Sequence, residues 1–195
     1  MTRRALLIGL DGGTFSMLDP LMEEGVMPFL RQFAASGASA ELRSVIPPLT
    51  PPAWTSVMTG RSPGNHGVVD FFTFESPNSR YVRIANSSDV RCETIWSMVS
   101  RYGLSATALN FPVTAPPRPI SGCVIPGWVL WRFLRRYCYP AGLYDRLQAL
   151  PTFNAKELAM NLDQEQKALD GCLPEEQEEW ARFHLRRERQ WFEIL

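Results

Sequence analysis

At 195 residues the chain is long enough to bury one domain-sized core. Hydrophobic residues make up 45% and charged residues 21%, which excludes a disordered chain. The 20 basic and 20 acidic residues cancel, so there is no electrostatic case for nucleic acid or an anionic membrane as the main partner.

The basic start, Met1-Thr2-Arg3-Arg4, is followed by an apolar run of only six residues before Asp11. A secretory leader needs about seven or more, and a membrane span roughly 20. The run 4–10 therefore reads as a short strand buried on both faces, ended by Asp11-Gly12-Gly13. Residues 15–24 and 28–36 read as helices: Leu18, Leu21 and Met22 share one face, and Phe29, Leu30 and Phe33 share another. Gly25 and Gly37 are placed to stop them. Residues 40–45 read as a second strand, and Ile46-Pro47-Pro48-Leu49 breaks regular structure because paired prolines fix the backbone and remove donors.

A short helix over 51–58 and a turn over 60–67 come next. Residues 68–90 lack a clear period and read as loop with short strands. Ile95, Trp96 and Val99 predict a helix over 93–102, ended by Gly103. Strands follow at 104–109 and 122–125. This alternation predicts an α/β fold with a largely parallel sheet sandwiched by helices. Beyond Pro126 the character changes. Residues 128–139 mix aromatics with arginines, 144–150 are helical, and 174–195 form a long charged helix, acidic at its start and basic later. The expected organisation is an α/β core over 1–127 and a helical cap or insertion over 128–195. Cys92, Cys123, Cys138 and Cys172 are scattered, with no Cys-x-x-Cys pair, as expected of reduced thiols in a cytoplasmic protein.

Two polar positions carry the chemistry. Thr50 precedes Pro51, so its backbone is pushed out of the helical region and suits an N-cap. Its hydroxyl would then lie at the positive end of a helix, where an anion gains about 0.3–1 kcal/mol. That gain does not make threonine a nucleophile. A metal does more, lowering the pKa of bound water from about 15.7 to about 7. Asp11, at the carboxyl end of the first predicted strand, is placed where α/β sheets gather ligands, and Gly12 and Gly13 leave room beside it. Taken singly, Asp-Gly-Gly is a turn and Thr-Pro-Pro a helix start. The longer run Thr-x-Pro-x-x-Thr-x-x-x-Thr-Gly-x-x-Pro-x-x-His-Gly over 50–67 shifts that balance.

Ile8-Gly9-Leu10-Asp11-Gly12, Thr50-Pro51-Pro52 and Thr59-Gly60-Arg61-Ser62-Pro63-Gly64-Asn65-His66-Gly67 together resemble the type I phosphodiesterase/nucleotide pyrophosphatase family of the alkaline phosphatase superfamily. The resemblance is clear over the first third of the chain and loose beyond it. It implies two zinc ions on an α/β sheet and a threonine that is transiently phosphorylated. By position, Asp11 matches a metal ligand, and Thr50 matches the nucleophile that also touches metal. The implied substrate is a small-molecule phosphoester; its identity, nucleotide or lipid headgroup, or a phosphonate or sulfate ester in its place, stays open, and the charge balance argues against nucleic acid and membrane as partners.

Two departures from the family pattern stand out. Val68-Val69-Asp70-Phe71-Phe72 lacks the asparagine that follows His-Gly in nucleotide-cleaving members. The family's later Asp-x-x-x-His, Asp-His and final His are also missing. Two catalytic zincs need about six protein contacts, whereas the chain holds two histidines, His66 and His184. His66 reads as a loop-bracing residue and His184 as a solvated face of the last helix. The expectation is thus the N-terminal part of a zinc-dependent hydrolase, truncated at Leu195 and weak or inactive alone. The alternative is a non-catalytic anion-binding module or a structural remnant of the same fold. The aromatic and arginine cluster of Trp128, Trp131, Phe133 and Tyr137 with Arg132, Arg135 and Arg136 reads as cap packing before nucleobase stacking. No Gly-x-Gly-x-x-Gly or Walker A run is present.

Overall fold

The computed structural model describes residues 4–76 and 78–195; Met1-Thr2-Arg3 and Pro77, touched on above as basic start and loop, lie outside the described residues. The chain divides into two compact units, Met1–Ser44 and Val45–Leu195.

In the first unit, α1 (Phe15–Glu23) and α2 (Pro28–Ser36) form where the apolar spacing predicts them, and Pro28 opens α2 as its first residue. Residues 4–10 and 40–45 carry no strand ladder, against expectation. Leu6 is 68% exposed and Ile8 69%. An apolar run becomes a strand only where another backbone takes its N–H and C=O groups, and hydropathy does not supply that neighbour.

The second unit holds α3 (Thr50–Thr59), α4 (Pro63–His66), β1 (Phe72–Phe74), β2 (Val82–Ile84), α5 (Ile95–Arg101), β3 (Ala106–Phe111) and β4 (Gly122–Pro126). It continues with α6 (Trp131–Tyr137), α7 (Leu143–Gln148), α8 (Ala155–Leu158), α9 (Leu162–Asp170) and α10 (Gln177–Ile194). β1 and β2 pair antiparallel, with Phe72 opposite Ile84 and Phe74 opposite Val82. Arg83, on the other face of β2, fixes the hairpin to Asp89 by a two-pronged ion pair at 2.6 and 2.8 Å. β3 and β4 pair in parallel from Ala106 opposite Gly122 to Leu109 opposite Ile125. The architecture is mixed α/β. Its parallel sheet has two strands among the described residues, narrower than the sandwich expected from sequence.

β4 divides two cores. Successive strand side chains face opposite ways, so Val124 joins Met58, Val90, Trp96 and Ala108, while Ile125 joins Leu134, Leu143, Leu147 and Trp191. A strand covered on both faces needs a continuous apolar run, which β4 has. Gly122 has φ +133°, and a Cβ there would lie 1.9 Å from the Ala106 carbonyl oxygen, so only glycine lets the two backbones approach. All four cysteines are free thiols, and burial pushes Cys138 up to about 12.

Candidate functional site

Thr50 opens α3. Leu49 is extended (φ −109°, ψ 153°), and its carbonyl accepts the first helical bond from the Ala53 N–H at 3.0 Å. The cap is therefore Leu49, one residue earlier than the sequence reading placed it, and Thr50 is the first helical residue. Pro51 and Pro52 occupy the next two positions and carry no N–H. A helix mouth binds anions through the unused N–H groups of its first turn. Here two of those groups are missing, and the Leu49 N–H is already bound to the Pro47 carbonyl at 2.9 Å. The mouth of α3 is poor in donors.

The body of α3 is well packed. Pro51, Pro52, Thr55 and Met58 are buried along one side. Trp54 meets Phe111 edge-on at 5.2 Å, and Trp96 meets the same ring at 5.3 Å. The Thr55 hydroxyl, fully buried, has no hydrogen-bond partner among the described residues.

The far end of α3 explains residues 59–67. Gly60 adopts the left-handed conformation (φ 64°), and its N–H closes the helix on the Ser56 carbonyl at 2.8 Å. Pro63 opens α4, which ends at His66, whose ring is wholly buried. His66 Nδ1 accepts the Val68 N–H at 3.2 Å, which leaves the ring proton on Nε2, 3.0 Å from Ser56 Oγ. Burial lowers the His66 pKa below 6.5, partly opposed by a hydrogen bond to the Pro52 backbone. Donating from Nε2, this imidazole cannot take the Ser56 proton, so the pair is not a nucleophile and its base. Gly67 (φ 86°) packs so closely that a Cβ would lie 3.0 Å from the Arg91 side chain and 3.1 Å from the Asp89 carbonyl. His66 is a brace, as expected from the sequence. Its partner Ser56 escaped that reading, although Ser56 and His66 flank the Gly60 turn.

Asp11 belongs to the first unit and Thr50 to the second, and each is described in its own unit. Asp11 is exposed and sits in a turn closed by the Gly13 N–H on the Leu10 carbonyl at 3.2 Å. Gly12 takes φ +66°, the third-position geometry of a type II turn. The strand that was to present Asp11 at a sheet edge is not formed, and Asp11 sits in this turn instead.

The two histidines do not suit zinc. His66 has both ring nitrogens engaged. His184 is half-buried against Trp180, with ring centroids 4.3 Å apart, rather than solvated as expected. Its helix turns Phe183, Gln190 and Trp191 inward and carries the neighbouring ring partly under cover. Burial, with the Arg187 charge, lowers its pKa. Among the described residues no three His, Cys, Asp or Glu side chains group together as metal ligands. Asp11 and Thr50 are two donor residues with three side-chain oxygens, against about six contacts for a two-zinc centre. The donors present do not fit that centre.

Among the described residues no helix is long and apolar enough to cross a membrane. No solved structure matches the chain. The family model for type I phosphodiesterase / nucleotide pyrophosphatase matches residues 5–189, which takes the likeness well past the motif-bearing first third. That family comprises phosphodiesterase- and pyrophosphatase-type hydrolases, generally metal-dependent, acting on small-molecule phosphoesters. With the match spanning nearly the whole sequence, the chain belongs to the type I phosphodiesterase / nucleotide pyrophosphatase family.

Proposed function

We propose that this chain is the nucleophile-bearing part of a phosphoester hydrolase in which Thr50 attacks phosphorus. The observation that carries the reading is a family match running from residue 5 to residue 189, with Thr50 at the head of a helix that buries one side and is tied to His66 through Ser56. In the proposed step the Thr50 hydroxyl loses its proton to water as Oγ bonds to phosphorus, and the ester oxygen leaves with the bonding pair and takes up a proton from water. Water then cleaves the phosphothreonine, releasing a phosphomonoester from a diester or phosphate from a monoester.

Asp11 and Thr50 are proposed as donors to the metal that the family uses, zinc by resemblance. Two donor residues fall short of the contacts a two-zinc centre needs, so turnover by the chain is expected to be slow. The full alkaline phosphatase-like sandwich, with β3 and β4 as one piece of its sheet and 128–195 as a helical cap, belongs to the same reading. So does a cytoplasmic setting with neither nucleic acid nor membrane as partner. The missing asparagine after His66-Gly67 supports a substrate other than a nucleotide.

Hydrolysis of a nitrophenyl phosphodiester tests the proposal. Thr50→Ala should abolish the slow turnover of the chain, and Thr50→Ser should keep a measurable part of it. Equal rates in wild type and Thr50→Ala would remove Thr50 from the chemistry. Pro51 and Pro52 count against the rival reading of an anion-binding module, since they strip the helix mouth of donors. That rival would be supported by tight phosphate binding in the presence of a chelator.

A further inference from the structure

A groove of about 630 Å³ lies where the loop after β3 faces the corner between α6 and α7. Ligand sites generally measure about 300–1,000 Å³. None of the residues lining it is Asp11 or Thr50. Pro116 and Pro117 form one side, and Tyr137, Tyr139 and Tyr144 line it together with the Arg135 and Arg136 side chains.

The two arginines are in different electrical states. Arg135 pairs with Asp145 at 2.7 Å and lies over the Tyr144 ring at 5.6 Å. Arg136 lies over the Tyr137 ring at 5.9 Å, and among the described residues no carboxylate pairs with it. A guanidinium presents a planar fork that takes phosphate or carboxylate oxygens in pairs, and tyrosine and proline faces take flat rings. The groove thus offers one uncompensated cation beside apolar walls suited to a ring. Cap packing, the sequence reading of these residues, accounts for the buried Leu134 on the other side of α6 but not for Arg136.

We propose that this groove binds a small anion carrying a flat ring, an aromatic phosphate or carboxylate, with its charged group on Arg136. The site is independent of Thr50 chemistry and stands or falls separately from it.

Calorimetry on the full chain tests the assignment, with AMP, phenyl phosphate, benzoate, ribose 5-phosphate and inorganic phosphate as probes. The ring-bearing anions should bind saturably, and ribose 5-phosphate and inorganic phosphate about tenfold or more weakly. Arg136→Gln, on an exposed side chain, should weaken the ring-bearing anions about tenfold, with Arg136→Lys between the two. Thr50→Ala should leave their affinity unchanged. Four results would each overturn the proposal: no saturable binding, inorganic phosphate as tight as AMP, Arg136→Gln equal to wild type, or binding lost in Thr50→Ala. Near-ultraviolet circular dichroism confirms that each variant is folded.

Discussion

Residues 4–10 and 122–126 are two apolar runs of similar length with opposite fates. The second pairs with β3 and places Val124 and Ile125 in separate cores, each 2% exposed. The first has no ladder, and Leu6, Leu7, Ile8 and Leu10 are all exposed. Hydrophobicity states a demand for cover, and a neighbouring backbone decides whether a strand forms to meet it. Gly122 shows how local that decision is, because its missing Cβ is what admits the Ala106 carbonyl.

The contrast is sharpest where burial is complete. Ile125→Ala should destabilise the second unit by about 2–5 kcal/mol, since a covered strand position cannot refill the space; urea unfolding measures it. A loss below about 0.5 kcal/mol would mean that β4 is not covered on both faces.

The His66 brace between α3 and the segment after α4 comes next. His66→Ala leaves the Val68 N–H and the Ser56 hydroxyl without their partner, a loss of about 1–3 kcal/mol. The same ring gives a pH signature. His66 is held neutral with its pKa below 6.5, so the unfolded chain binds the proton first. Stability from this group is intact above pH 6.5, falls as pH drops below it, and levels off once pH passes the folded value. His184 shifts in the same direction, so His66→Gln should make the acid-side slope shallower without abolishing it. An unchanged slope would show that His66 does not titrate as a buried group.

Thr55 offers a gain rather than a loss. Its hydroxyl is buried without a partner, so Thr55→Val should raise stability by about 1 kcal/mol. A decrease would reveal a hydrogen bond that the structure does not show. The smallest effect belongs to the exposed run, where Ile8→Ser should stay within about 0.5 kcal/mol. A loss comparable to that of Ile125→Ala would erase the difference between the two runs.

Much of the local structure was legible because it depends on neighbours in sequence. Phe29, Leu30 and Phe33 predict α2 residue for residue, and Ile95, Trp96 and Val99 predict α5 to within two residues at its start and one at its end. The turn glycines Gly60 and Gly67 take the left-handed geometry that their place in the motif implies. Features that depend on long-range partners were not legible. Whether 4–10 pairs, that Ser56 meets His66, and that His184 tucks against Trp180 are settled by tertiary packing. At the candidate site, the residues that bear chemistry and the two donor-less prolines are legible in sequence, whereas the capture of the Leu49 N–H by the Pro47 carbonyl is not. The prolines that suggested a helix start also empty its anion site.

The most direct measurement is single-turnover labelling of the chain with a nitrophenyl phosphodiester, followed by mass analysis of the quenched protein. If Thr50 is the nucleophile, one phosphoryl adduct is expected on the peptide containing Thr50 in the wild type and none in Thr50→Ala. An adduct on another residue, or none on Thr50 in the wild type, would contradict it.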